Sequence, residues 1–391
     1  MTPDIDIFSA EPYGLGVPHD QFAWLRANAP VFWHPDPDWP GFWALTRHED
    51  VTYVSRHPAL FSSYRRSSML YDADEERLRR DRMILLNQDP PRHTALRAVV
   101  NRGFTPRVIA RLEDHIRAVC HRLIDGVGTG NVDFVTEIAA PLPLHVICEL
   151  LGAPPEDHER IFRWSNRLIG FDDPEVRAAH TDPINSLFHY GVTQADARRE
   201  RPADDLISRL VSGEDTLSEV EVGMFVTLLA VAGNETTRHA VSGGMLAFFE
   251  HPGEWERLLA DRSLLRTLPD EVLRWVSPLM AFRRTATRDT EIRGQRIREG
   301  DKVVLYYAAA NRDEDVFPDA GRFDIGRDPN PHVAFGGGGP HFCLGAHLAR
   351  LELRVLFEVL AERMPGIRPA GPARRLVSNF INGIKELPVT V

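Results

Sequence analysis

From about residue 218 to residue 250 the chain reads as one uninterrupted helix. Its roughly 33 residues would span about 50 Å, enough to cross an entire domain. Thr216-x-x-Glu219 offers a capping box at its start and His251-Pro-Gly253 a stop. In the middle stands Ala232-Gly-Asn-Glu-Thr-Thr237. Glycine and two threonines are poor choices for a helix interior. An acid and an alcohol side by side, Glu235 and Thr236, on an otherwise apolar helix point to function. The plain alternative is a kink in which threonine satisfies a carbonyl one turn back.

A second segment carries chemistry. Phe335-Gly-Gly-Gly-Gly-Pro-His-Phe-Cys-Leu-Gly345 places Cys343 in a glycine-rich loop. Glycine allows close approach of the backbone to a flat ligand. After it, Leu348, Leu351, Val355, Leu356, Val359 and Leu360 recur at helical spacing. Cys343 is therefore expected at a helix N-terminus, where free amides and the helix dipole favour a thiolate. A lone thiolate in such a loop suits the axial position of haem iron. A buried structural cysteine is the alternative.

Other pairs are informative together. Glu271 and Arg274 share a helix face at i and i+3, as do His93 and Arg97 at i and i+4 after Asp89-Pro-Pro91. Arg283 and Arg284 lie in a strand-like stretch. Singly, each pair fits an ordinary surface. Arg201-Pro-Ala-Asp-Asp-Leu206 reads as structural.

In order along residues 89–350, these motifs resemble those of the cytochrome P450 superfamily. His341, Cys343 and Gly345 match its haem loop, with one departure: Phe335 stands eight residues before Cys343, so the loop is one residue longer than the commoner form. The resemblance implies a mainly α fold with a smaller β-rich region and haem b between the long central helix and the Cys loop. It implies Cys343 as iron ligand and His93, Arg97, Arg284 and His341 on the propionates, with Arg283 competing with Arg284. Glu235 and Thr236 would deliver protons during O2 activation. Glu271, Arg274 and Arg322 would brace the fold behind the Cys loop.

Composition sets the remaining bounds. The chain has 391 residues, 43% hydrophobic, without linker or repeat, so we expect one domain over residues 1–391. Its helix-rich core is expected at about 89–275 and its β-rich portions at about 30–60, 279–307 and 370–391. Net charge of −10 argues against nucleic-acid binding. No apolar run reaches membrane-span length, and the N-terminus lacks signal-peptide features. Cys120, Cys148 and Cys343 form no framework, which suits a reducing cytoplasm.

The resemblance thus implies a monooxygenase that inserts one O atom of O2 into a C–H bond. Electrons would come from NAD(P)H through ferredoxin reductase and ferredoxin, with Arg97, Arg102, Arg350 and Arg354 flanking the cysteine side. A peroxide-using or non-oxidative haem-thiolate protein is the lesser alternative. The lengthened loop, the 166–174 segment and Asn379-Phe-Ile-Asn-Gly-Ile-Lys385 resemble actinobacterial enzymes that hydroxylate the terminal carbon of sterol side chains and methyl-branched lipids. Tailoring of a polyketide, terpenoid or aromatic product stays open. Residues 62–86 are the expected lid, with Arg65 and Arg66 able to hold a carboxylate. Val231, Ala232, Leu279, Met280, Phe282 and Phe380 are the expected apolar pocket walls.

Overall fold

The structure, a computed structural model, describes residues 4–36, 40–166, 173, 175, 183–212 and 216–391. The 166–174 segment lies almost wholly outside the described residues.

The central helix runs from Glu219 to Glu250, as its pattern demands. Its capping box is not the expected one. Ser218 accepts from the Glu221 amide, and the Glu221 carboxylate accepts from Ser218. Both patterns have the right spacing, and the box that forms is the one that places Glu219 inside the first turn. The helix is buried along most of its length, against Pro141–Leu151 and Pro183–Glu200 among others. Glycines permit the closest crossings. A Cβ on Gly191 would come within 2.8 Å of Gly223 Cα, and one on Gly243 within 2.7 Å of the Val276 side chain.

β structure forms small sheets, mostly in the stretches 31–62, 281–306 and 368–390; one further strand, Asn131–Asp133, lies inside the expected helix-rich core and pairs with Pro388–Thr390. The largest has five strands in the order Val31–His34, Phe42–Leu45, Lys302–Tyr306, Ala281–Ala286, Phe61–Ser62. Phe42–Leu45 pairs in parallel with Lys302–Tyr306, and the other pairings are antiparallel. Distant segments are thereby joined. Near the C-terminus Asn382-Gly383, a residue pair typical of tight hairpins, forms none. Arg374–Arg375 pairs with Ile384–Glu386 across a wider loop, which the Leu376 amide closes by donating to Gly383. Asn382 instead donates to the Pro278 and Val276 carbonyls.

The bracing trio differs in one member. Glu271 and Arg274 are fully buried and bidentate, at 2.7 and 2.8 Å. The third partner is Arg327, whose Nε lies 3.2 Å from Glu271, and not Arg322. Arg322 is exposed, and its carbonyl accepts from both Arg274 and Arg327. Asp205 caps helix Leu206–Val211 and pairs with Arg198, so the 201–206 segment is structural.

Candidate active site

Cys343 sits two residues before Gly345, the N-cap of helix Ala346–Arg363. Its amide donates to the Phe335 carbonyl at 2.9 Å, and the Gly345 amide faces its sulfur. Cys343 presents accessible surface although protein atoms crowd it closely. That combination marks a side chain lining an internal cleft. Burial pushes its thiol up, and the Gly345 amide, Arg97 and Arg350 pull it back only in part. The helix end alone therefore does not make a thiolate here; a bound metal ion would. Cys120 and Cys148 are buried, and burial lifts both to about 12.

The glycines of this loop serve its packing. Gly336, Gly338 and Gly339 have positive φ. A Cβ on Gly337 would approach Ser55 Oγ to 2.7 Å, and one on Gly339 the Ser55 carbonyl to 2.3 Å. The loop is thus pressed onto helix His48–Arg56.

Four basic groups gather beside the cysteine. The rings of His93 and His341 lie 4.2 Å apart. Arg97 donates to the Phe342 carbonyl and to Asn101, at 2.7 and 2.9 Å. Arg284, 3% exposed, donates to the Arg283 carbonyl. Among the described residues no carboxylate pairs with any of the four. His93 Nδ1 is buried without a hydrogen-bond partner. Burial, then the neighbouring cations, hold His93 down at about 4 and His341 at about 2. A buried guanidinium without a counter-charge is costly. Arg283 is different, because Asp72 lies 2.7 Å from it. The cluster is an anion cradle adjoining a lone cysteine in a cleft, and it fits haem with its two propionates.

On the central helix, Thr236 Oγ1 donates to the Ala232 carbonyl at 2.6 Å while its lone pairs stay available. The back-bond exists without interrupting the helix. Glu235 is 3% exposed and engages Arg238 at 3.4 Å and His239 at 3.1 Å, not Thr236. Burial would raise its carboxyl, but Arg238 and His239 outweigh burial and hold it below the usual range. His239 Nδ1 accepts from the Ile384 amide at 3.2 Å. The bonding therefore assigns the proton to Nε2, facing Glu235, although poorly aligned for a hydrogen bond. Neither Arg238 nor His239 was anticipated. Their spacing from Glu235, i+3 and i+4, was the available signal.

The expected pocket walls divide. Val231, Leu279 and Phe380 pack with Leu376 and Ile381, and the rings of Phe282 and Phe380 lie 5.7 Å apart. Ala232 is exposed on the same helix. Met280, 1% exposed, is core beside Tyr13 and Ala308. In the expected lid, Leu70 is also core, Met83 is exposed, and Arg65 pairs with Glu299 at 2.8 Å. Asp72 ties that segment to Arg283 and Lys302.

The cytochrome P450 family model matches residues 161–363. The chain belongs to that family. It is 43% identical to a steroid C26-monooxygenase of Rhodococcus jostii, covering 100% of this chain and 85% of that one. It is 44% identical to a methyl-branched lipid omega-hydroxylase of Mycobacterium bovis, covering 99% and 94%. A Mycobacterium marinum cytochrome P450 in complex with pseudoionone superposes with a TM-score of 0.91 at 39% identity, covering both chains fully. The fold is the cytochrome P450 fold, its cofactor is haem, and the chain is a cytochrome P450 monooxygenase. Among the described residues no helix is long and apolar enough to cross a membrane.

Proposed function

We propose that this P450 hydroxylates the terminal carbon of a lipophilic substrate, a sterol side chain or a methyl-branched lipid. The observation that carries the substrate class is whole-length similarity above 40% to two relatives named for those reactions. The apolar cluster of Val231, Leu279, Phe282 and Phe380 is consistent with it. Haem ligated by cysteine supplies the activation of O2 for insertion into a C–H bond. Cys343 would hold the iron, Arg97 and Arg284 would neutralise the propionates, and His93 and His341, uncharged, would donate hydrogen bonds to them. Arg284 is preferred over Arg283 because Asp72 already balances Arg283.

Thr236 Oγ1, anchored through its own proton to Ala232, accepts a hydrogen bond in the cleft and orients the last proton donor. Glu235 stays ionised at neutral pH, so it would carry a solvent proton only transiently, relaying it toward the cleft and not storing it. The electrons come from NAD(P)H through ferredoxin reductase and ferredoxin, in the cytoplasm.

The test is optical titration of the purified holoenzyme with a sterol enone, a methyl-branched fatty acid, and a panel of polyketides and small aromatics. The expected result is a blue-shifted Soret band with the first two only, and a terminal hydroxyl in the product. Apolar contact at about 25 cal/mol per Å² could bring such binding to micromolar strength, about −8 kcal/mol. A shift with aromatics or polyketides alone would assign the enzyme to tailoring chemistry. Loss of the thiolate-type CO band in Cys343→Ala checks the ligand separately, whatever the substrate.

A further inference from the structure

A cavity of about 200 Å³ is lined by none of the residues placed above around Cys343 or in the apolar cluster beside the central helix. It lies where the start of helix His19–Asn28 meets the C-terminal end of the central helix, Trp275 and the C-terminal loop. Its polar lining is His19, Arg312, Arg375, Asn382 and Glu250.

The arginines around it have carboxylate partners. Arg274 and Arg327 share Glu271, and Arg26 holds Glu314 at 2.6 Å. Arg312 and Arg375 do not. Among the described residues neither is ion-paired, Glu250 included. Glu271, the carboxylate whose field reaches Arg312, already accepts from Arg274, Arg327, Asn330 and the Asp324 amide.

Arg312 lies flat on Trp275 at 3.5 Å and reaches only the Trp275 carbonyl, at 3.4 Å. Its Nε is buried without a partner. Arg375 donates to Asn382 at 3.3 Å. His19 Nδ1 is likewise buried and unpartnered. Burial and the surrounding arginines hold His19 down at about 3, and burial drags Arg312 down to about 9. Two guanidinium groups and an imidazole thus share a small cavity in which, among the described residues, no carboxylate is ion-paired with them, although Glu250 stands in the lining.

We propose that this cavity binds a small tetrahedral oxyanion of the phosphate or sulfate class, held by Arg312, Arg375 and His19. The volume suits a small ion, being below the about 300–1,000 Å³ of pockets for drug-sized molecules. Donor number favours a tetrahedral ion. Each guanidinium has five N–H donors, and few of them are engaged here. Planar forks of this kind suit phosphate oxygens.

The test is calorimetric and thermal titration of the holoenzyme with inorganic phosphate against chloride at constant ionic strength. The expected result is saturable, single-site stabilisation, matched by sulfate and not by acetate. Arg375→Ala should weaken the phosphate Kd by roughly tenfold or more, with the absorption spectrum unchanged. Arg312→Lys should weaken it too; if that variant does not fold, Arg375→Ala decides. Glu250→Gln should tighten binding by removing a like charge. An effect equal to that of chloride, or one unchanged in Arg375→Ala, overturns the site. Equal binding of acetate overturns the oxyanion assignment.

Discussion

Glu352 shows how far one residue can depart from what its type suggests. It lies on the helix that follows the Cys loop, is 2% exposed, and its Oε2 has no hydrogen-bond partner. Burial alone lifts its carboxyl to about 8. The folded state therefore keeps a proton that the unfolded chain releases near pH 4.5. The stability linked to that proton is full below about 4.5 and lost as pH rises through about 8, at about 1.4 kcal/mol per unit between the two. We expect Glu352→Gln to match wild type at pH 5 and to exceed it in Tm at pH 8.5. Parallel Tm curves across that range would remove Glu352 as their source. Sequence offered no warning, because an acid within a charged helix reads as solvated. By contrast Glu235 was legible from its neighbour Thr236, while its real partners, Arg238 and His239, emerged only from side-chain direction.

At the scale of elements, the central helix was legible end to end because apolar periodicity and capping are local. What lies against it was not. Gly223 reads as a weak point in a helix, yet a Cβ there would come 2.7 Å from the Phe188 ring and 2.9 Å from its carbonyl. Gly223→Ala should cost about 1–3 kcal/mol through overpacking. Gly253 is the second residue of helix Pro252–Ala260, with nothing within 4 Å of its Cβ position, so Gly253→Ala should be neutral or slightly stabilising. Thermal unfolding of both variants checks the contrast; equal effects would mean that intrinsic helix propensity, not the crossing, governs these sites. The bracing arginine illustrates the same limit. Arg322 and Arg327 are equally plausible in sequence, and only the chain path after Phe323 turns Arg327 inward to Glu271.

At the scale of the molecule, net charge of −10 disfavours an acidic redox partner except where cations collect. Arg350 and Arg354 sit on the helix after the Cys loop, but Asp270 and Glu113 lie 2.7 Å from them and reduce the field they project. We still expect Arg102→Glu and Arg354→Glu to slow reduction by ferredoxin, by about tenfold at low salt, and to flatten its salt dependence. Stopped-flow rates at wild-type values in low salt would exclude both residues from the docking face.

The family followed from sequence alone, and Cys343 and the Glu235–Thr236 pair stood out there as candidates, because each is a local pattern in which neighbouring residue types and spacing carry the chemistry. Tertiary structure decided whatever depends on which distant charge comes near. It placed Asp72 against Arg283 and left Arg284 without a carboxylate. It turned Met280 into core and set Phe282 against Phe380. It joined Phe42–Leu45 to Lys302–Tyr306, and it gathered His19, Arg312 and Arg375 around one cavity. Coulomb and packing energies depend on separation in space, and residues hundreds of positions apart carry no sign of that separation in their order.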